Sequence, residues 1–330
     1  MPLDWSPFVD MVRRHRRFLL TTHIRPDGDG LGSMLALADV LETPPLSKTV
    51  HMTVASALPP RYDFLDPARR IRRFEPPGDR YLEVDAAVVL DTGTWNQLGD
   101  FGTLLRSLPI AKAVIDHHLT QDDLGALRMV DTSAEANGRL VYEAILALSV
   151  PIPVSAAHCL FVALAMDTGW FRHNNTTPAT FALAADLVRA GARATDAYES
   201  LFEQSTLARL QLTGLVLSRL QLTHEGKVAY TEIRCDDYAA TGATPQDSED
   251  LINYTRSLSG VEVGLLFMEQ PRGGVKISFR SRQRVDVARL AERFGGGGHR
   301  LASGAILETS LDDARRRVLD AVAEALATTP

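Results

Sequence analysis

Thr21-Thr22-His23-Ile24-Arg25-Pro26-Asp27-Gly28-Asp29-Gly30-Leu31-Gly32-Ser33 puts one imidazole and two carboxylates within seven residues. The apolar run before it, Phe18-Leu19-Leu20, reads as the end of a buried strand. The spacing of Leu31, Leu35, Leu37, Ala38 and Leu41 after it reads as a helix. Ligand-type side chains therefore sit in a strand-to-helix turn, where open parallel sheets build their sites. A neutral nitrogen with two hard anionic oxygens suits a divalent first-row metal, Mn²⁺ in particular, better than Ca²⁺ or a thiolate-loving ion. Pro26 and the glycines at 28, 30 and 32 allow the tight backbone that brings the carboxylates together. Taken alone, Asp-Gly-Asp is equally ordinary turn chemistry. Three further stretches of the same kind decide in favour of a site.

Val88-Val89-Leu90 runs into Asp91-Thr92-Gly93. A carboxylate at the end of a buried strand is unfavourable unless a cation meets it, although Asp91 also reads as a cap for the next helix. Ala113-Val114-Ile115 runs into Asp116-His117-His118. Adjacent histidines on an extended segment point to opposite sides, so one can bind metal while the other faces elsewhere, or a turn brings both in. Asp167-Thr168-Gly169 ends an apolar helix, where the dipole disfavours a carboxylate. His23, Asp27, Asp29, Asp91, Asp167 and one histidine of the pair make two neutral ligands and four carboxylates. Four negative charges balance two divalent cations, with Asp91 the candidate bridge. Two metals about 3.5–4 Å apart activate water and stabilise in-line displacement at phosphorus.

The chain has 330 residues, 45% of them hydrophobic and 23% charged, which points to two domains. No apolar stretch approaches the roughly 20 residues that span a membrane. The N-terminus lacks the residue order of a signal peptide. Cys159 and Cys235 are too few for a disulfide framework or a thiolate metal site. A cytoplasmic location is the expectation. The net charge of −6 argues against long duplex nucleic acid as a partner, and leaves room for a small anionic substrate held by local cations.

The first half alternates helix and strand. Strands are expected at 17–22, 51–56, 85–90 and 111–115, and helices at 1–16, 31–41, 95–106, 134–148, 154–166, 179–191 and 194–220. This predicts an α/β domain, a parallel sheet with helices on both faces. The second half predicts a smaller α+β domain. A hairpin around His224-Glu225-Gly226 joins strands 219–223 and 227–234, followed by helix 248–258. Strands 262–269 and 274–280, helix 285–294, a glycine run, strand 303–307 and helix 311–326 complete it. The expected division is 1–190, a helical linker at 191–215, and 216–330.

His23-x3-Asp27-x-Asp29, Asp91, Asp116-His117-His118 and Asp167-Thr168-Gly169-x-Phe171 resemble, in order, the four motifs of the DHH phosphoesterase superfamily. Gly295-Gly296-Gly297-Gly298-His299 with Ala302-Ser303-Gly304, and Ser278-Phe279-Arg280-Ser281 before them, resemble the signature of the DHH-associated C-terminal domain. Motif order and the short second domain look most like the nanoRNase and pAp phosphatase (NrnA-like) group. The resemblance implies a two-metal, Mn²⁺-dependent phosphoesterase that cuts very short RNA to nucleoside monophosphates and removes the 3′-phosphate of pAp. It is compatible with a homodimer. It implies His23, Asp27, Asp29, Asp91, His117 and Asp167 as metal ligands. His118 would contact the scissile phosphate and act as acid to the leaving oxygen, with Asp116 orienting an imidazole. Asn175, soon after the fourth motif, would line the substrate. One departure is Trp95-Asn96-Gln97, where many relatives carry Arg or Lys.

The glycine run can also be read physically. Successive backbone N–H groups facing one way form a nest for phosphate, and Arg280 and His299 supply charge. Arg280, Ser281, Gly296, Gly297, Gly298 and His299 are therefore the expected substrate-binding set of the second domain. A flexible hinge is the other reading. Three alternative functions remain at this stage. One is a phosphodiesterase for a linear or cyclic dinucleotide. A manganese pyrophosphatase would lack the glycine run. A nucleotide-binding regulator on a decayed scaffold would not keep candidate ligands at all six metal positions.

Overall fold

Phe18, Leu19 and Leu20 are all fully buried, with Leu19 packed on the opposite side of the sheet from its two neighbours. A strand covered on both faces needs an unbroken apolar run, and this is what marks a parallel sheet. The computed structural model, which describes residues 3–76, 81 and 83–328, has that sheet. Its strands are β1 (Arg17–Thr21), β2 (Thr49–Val54), β3 (Ile71–Arg73), β4 (Ala86–Leu90), β5 (Ala111–Asp116) and β6 (Leu127–Val130). They lie in the order β3-β2-β1-β4-β5-β6, every pair parallel. The helices of this part are α1 (Ser6–Arg14), α2 (Gly28–Glu42), α3 (Gly99–Ser107), α4 (Asn137–Leu148), α5 (Val154–Asp167), α6 (Pro178–Arg189) and α7 (Ala194–Phe202). The strand order reverses between β1 and β4, so the chain leaves these neighbours in opposite directions. A crevice opens there, beyond the C-terminal ends of the strands.

Two strands of this sheet escape the sequence reading. β3 and β6 are the edges of the sheet and span only three and four residues, too short to display a period. The helix expected at 31–41 begins three residues earlier, because the Asp27 carboxylate accepts the N–H groups of Asp29 and Gly30 and caps α2. Asp29 thereby enters the first helical turn. The helix expected at 95–106 opens as a 3₁₀ turn, Asn96–Leu98, before α3.

The single helix expected over 194–220 is two. α7 ends at Phe202, and α8 (Leu207–Ser218) restarts with Thr206 as its cap. The chain divides into two units between Gln204 and Ser205. Residues 191–215 are thus shared between the two units, and the division lies before the expected residue 215. The second unit continues with β7 (Gln221–Thr223), β8 (Val228–Ile233), α9 (Cys235–Thr241), α10 (Asn253–Ser257) and β9 (Val263–Glu269). It closes with β10 (Val275–Ser281), α11 (Val287–Glu292), β11 (Gly297–His299), β12 (Ala302–Leu307) and α12 (Leu311–Thr328). Its sheet runs β11-β12-β10-β9-β8-β7, with only β8 and β9 parallel among the described strands. Helix α12 covers one face and α8 the other. The helix expected at 248–258 shrinks to a 3₁₀ turn and the short α10.

Glycines let α2 and α5 touch. A Cβ on Gly32 would lie 2.4 Å from the Cys159 carbonyl oxygen. This contact brings the end of α5, with Asp167, to the start of α2, with Asp29. Gly32→Val is therefore expected to lower stability by about 1–3 kcal/mol in chemical denaturation. It should also weaken divalent-cation binding, measured by titration, because it drives the two carboxylates apart.

Candidate metal centre

Each expected ligand follows a strand or ends a helix at the crevice. His23 and Asp27 lie in the loop after β1. Asp29 opens α2, Asp91 follows β4, His117 follows β5, and Asp167 ends α5. Two backbone bonds pin the β1 loop: Ile24 N donates to the Gln97 carbonyl at 2.7 Å, and Arg25 N to Ser56 Oγ at 2.7 Å. They hold Arg25 at a φ of 52°, a conformation disfavoured for any residue with a side chain and doubly so before proline.

The side chains form three overlapping triads, one of Asp91, His117 and His118 and two made wholly of expected ligands. Ligand atoms of His23, Asp27 and Asp91 lie within 4.8 Å of one another, and so do those of Asp29, His117 and Asp167. Asp91 touches both. Its Oδ2 is 3.6 Å from His23 Nε2, and its Oδ1 is 3.4 Å from His117 Nε2. His117 Nε2 is also 3.8 Å from Asp29 Oδ2 and 3.6 Å from Asp167 Oδ2, and His23 Nε2 is 3.8 Å from Asp27 Oδ1. These separations are long for hydrogen bonds. They match ligand atoms that each stand about 2.1 Å from a shared cation, and so about 3–4 Å apart.

The imidazole tautomers fit as well. His23 Nδ1 donates to the Ile24 carbonyl at 3.0 Å, and His117 Nδ1 to the Ala134 carbonyl at 3.1 Å. A carbonyl only accepts, so each neutral ring carries its proton on Nδ1 and turns a bare Nε2 lone pair to the carboxylates. Backbone-anchored imidazoles are the usual outer support of a metal ligand. Asp91 Oδ1 and Thr22 Oγ1 are buried with no hydrogen-bond partner among the described residues. A buried carboxylate oxygen without a hydrogen-bond partner is unfavourable, and a nearby cation would relieve this. Glycine at position 30 keeps these atoms uncrowded: a Cβ there would stand 2.5 Å from Thr22 Oγ1, 3.2 Å from His23 Nε2 and 3.3 Å from Asp91 Oδ2.

The electrostatics report the same excess of negative charge. Burial pushes the His23 imidazole down, but Asp27 and Asp91 outweigh it and take it up to about 10. Burial opposes His117 too, and Asp91 and Asp29 carry it up to about 10. Burial pushes Asp29 well above the usual carboxylate range, and the Asp91 and Asp167 charges add to this. This happens although Asp29 accepts Asn137 N at 2.6 Å and Gly138 N at 2.8 Å from the first turn of α4. Asp167 is pushed up to about 6 by burial, with His117 opposing and Asp91 and Asp27 adding. Protons and divalent cations compete to relieve the same repulsion.

His118 lies against the same cluster, with its Nδ1 3.8 Å from Asp91 Oδ1. Its Nδ1 donates to Asp116 Oδ1 at 2.8 Å, which holds the ring in place and raises its pKa. Asp116 is fully buried and also accepts the backbone N–H groups of His117 and His118. The imidazole that Asp116 orients is therefore His118, not the candidate ligand His117.

The expected substrate-binding residues divide. In the second unit, cross-strand register ranks Gly264, Arg280, Ala302 and His299 side by side on one face of β9, β10, β12 and β11. Arg280 and His299 are two strands, about 10 Å, apart over the small floor of Ala302. Burial and the neighbouring Arg256 hold the Arg280 guanidinium below the usual arginine range. Ser281 is fully buried, and its hydroxyl donates to Glu262 at 3.0 Å, out of reach of a ligand. Arg282 is committed to the carbonyls of Val261, Arg256 and Leu258. The glycine run is not an open nest. Gly296 N donates to the Ala291 carbonyl, and Gly297 and Gly298 belong to the edge strand β11. A Cβ on Gly296 would lie 2.1 Å from the Gly304 carbonyl oxygen, so close approach to β12 accounts for this glycine. Asn175 Nδ2 donates to the Glu135 and Asp167 carbonyls, at 3.0 and 3.2 Å, and steadies the Asp167 end of α5.

Sequence reasoning missed Asn137. With its amide oriented to satisfy its neighbours, this fully buried side chain donates to the Ile115 carbonyl at 2.8 Å and accepts from Ser33 Oγ at 3.1 Å and Asp91 N at 3.3 Å. Asn137-Gly138 before an apolar helix reads only as a turn or cap. Thr22 was passed over because a hydroxyl at a strand end carries no signal of its own.

Asp167 yields a prediction with a definite sign. A carboxyl raised by the fold favours its protonated form there, so the stability this allows is present below about pH 4 and is lost as pH rises through about 6. Asparagine stands for the protonated form at every pH. In EDTA, Asp167→Asn is expected to melt above wild type at about pH 7.5, with the gap closing below about pH 6. Added Mn²⁺ should raise the Tm of wild type and not of the variant. Thermal scans with and without the metal check both.

Comparison with known proteins agrees with this geometry. The DHH family N-terminal domain matches residues 17–164, and the DHHA1 domain matches residues 225–328. The bifunctional oligoribonuclease and PAP phosphatase NrnA of Thermus thermophilus is 32% identical over 93% of this chain and 89% of its own length. The protein of the same name from Bacillus subtilis is 28% identical over 96% of both. The crystal structure of an exopolyphosphatase-related protein from Bacteroides fragilis shares the fold, with a TM-score of 0.85 and 24% identity over 97% of this chain and 95% of that one. Full-length likeness, both domains in order and the converging motif residues lead to one assignment: the chain belongs to the DHH family, among its NrnA-like members that carry a DHHA1 domain.

Proposed function

We propose that this protein is a phosphoesterase that hydrolyses very short oligoribonucleotides to nucleoside monophosphates and removes the 3′-phosphate of pAp, using two divalent cations, Mn²⁺ above all. The observation that carries the reading is the pair of triads joined by the buried, unpartnered Asp91. The names of the Thermus and Bacillus relatives support the substrate class. His23, Asp27 and Asp91 would hold one cation, and Asp29, His117 and Asp167 the other, with Asp91 shared. When bound, the pair supplies Lewis-acid activation of water and of the phosphoryl group.

This chain's own residues do the rest. Asp91 keeps both triads at a fixed separation through its rigid place at the end of β4. His118, with Nδ1 committed to Asp116, turns Nε2 outward to meet the scissile phosphate and to hold the proton that the leaving oxygen takes. In the second unit, Arg280 and His299 would take an anionic group of the nucleotide, alongside the edge strand Gly297–His299. Ser281 and Asn175 act indirectly, through Glu262 and through the Asp167 backbone. Among the described residues no helix is long and apolar enough to cross a membrane, and the free cysteines fit work in the cytoplasm.

Assay of the purified protein with Mn²⁺ on pAp, linear and cyclic dinucleotides, and RNAs of graded length tests the reading. Turnover of pAp and of the shortest RNAs, abolished by EDTA, is expected. Ligand binding that survives EDTA without hydrolysis would mark a nucleotide-binding regulator, and preference for cyclic dinucleotides would shift the substrate class. Asp91→Ala should lower kcat about 10³-fold or more, the scale on which loss of a preorganised charge stabiliser acts. Arg280→Ala should raise KM about 10- to 100-fold with little change in kcat, as expected for one charge-assisted contact.

A further inference from the structure

Gln121 lies three residues beyond His118, and no expected role falls on it. Its side-chain nitrogen donates to Asp116 Oδ2 and, at 3.0 Å, to the backbone carbonyl of His118. One amide thus grips both the carboxylate that orients the His118 ring and the backbone that carries it. The other oxygen of Asp116 is already taken by His118 Nδ1 and by the backbone N–H groups of His117 and His118. Gln121 supplies what remains.

The amide reaches this position over Gly93, two residues after Asp91. A Cβ on Gly93 would stand 1.9 Å from Gln121 Oε1. Backbone contacts close the same buckle. Gly93 and Gln121 form a β-bridge, Asp122 N donates to the Gly93 carbonyl at 2.8 Å, and Trp95 N donates to Asp122 Oδ2 at 2.9 Å. The loop that carries Asp91 and the loop that carries His118 are clasped to each other here.

We propose that Gln121 is a positioning residue that holds His118 in the orientation it presents to substrate, and that Gly93 is glycine to make room for it. The catalytic consequence rests on the proposed role of His118. A donor without charge is what the position demands, because a carboxylate would face Asp116 across a hydrogen-bond distance. Gln121→Met keeps the shape and loses the donor. Gln121→Glu keeps the shape and adds repulsion.

The test combines kinetics with two readouts independent of turnover. Gln121→Met should lower kcat about 10- to 100-fold, the usual effect of removing an outer support of a functional side chain, and leave KM and the Mn²⁺-induced rise in Tm near wild type. In a His118→Ala background the same substitution should change kcat by less than about twofold, because its partner is gone. Nitrogen-15 spectra of the histidine rings should show the Nδ1–H tautomer of His118 in wild type and its loss in Gln121→Met and Gln121→Glu. Gly93→Ala should follow Gln121→Met in all three. Wild-type kcat in Gln121→Met, an equal loss in the His118→Ala background, or loss of the Mn²⁺-induced rise in Tm would each overturn the proposal. If His118→Ala itself turns over at the wild-type rate while the ring spectrum still depends on Gln121, the hold on His118 stands and the catalytic reading of His118 falls.

Discussion

Asp91 is the point on which the first unit turns. Its carboxylate is buried between two imidazoles, with one oxygen toward His23 and the other toward His117. No ordinary core tolerates this. Three more carboxylates, Asp27, Asp29 and Asp167, stand around it. The fold reduces the repulsion where it can. Asp27 caps α2, and Asp29 lies at the N-termini of both α2 and α4, where free N–H groups and the helix dipoles favour an anion. These donors are not sufficient, since Asp29 and Asp167 still resist ionisation. The remainder is a demand for positive charge, which protons on His23, His117 and Asp167 or bound divalent cations would meet.

Four of the ten non-glycine residues with positive φ among the described residues lie at the same place. Arg25, Asp91, Trp170 and Phe171 all have positive φ without being glycine. Each belongs to a segment that carries a ligand. Such conformations persist only where the surroundings over-determine them, and they collect at functional sites. At Arg25 the surroundings are visible as the bonds from Ile24 to Gln97 and from Arg25 to Ser56. At Asp91 they are the bond from its own N–H to the Ile115 carbonyl and the Asn137 amide beside it. The candidate ligands on these segments are thus held by contacts of the backbone.

This explains what the sequence could and could not disclose. The candidate ligands were legible because each is a charged or imidazole side chain placed directly after an apolar run, where burial without a partner would be unfavourable. The parallel sheet was legible for the same reason, through runs such as Ala86–Leu90. What stayed hidden acts through the backbone or across long sequence separation. Asn137 supports Asp29 and Asp91 from more than a hundred positions beyond Asp29, and nothing local announces it. Gly296 looked like part of an anion nest, yet its nearest neighbour is the backbone of β12. Ser281 looked like a ligand contact because it adjoins Arg280, but alternation along β10 turns it to the other face, onto Glu262. A motif names residues; the pleat decides which of them face a ligand.

The charge pattern of the two units resolves an apparent conflict with the −6 net charge. An acidic protein has no long-range attraction for a polyanion, and in the first unit the carboxylates would repel one. Four carboxylates with two divalent cations, however, sum to zero, and the coordinated charges are then arranged as local dipoles. In the second unit Arg280 is half-buried and feels Arg256 beside it, with the Asp250 carboxylate opposing. On the proposed function, binding rests on a few short-range charges in each unit, which suits small anions better than long chains.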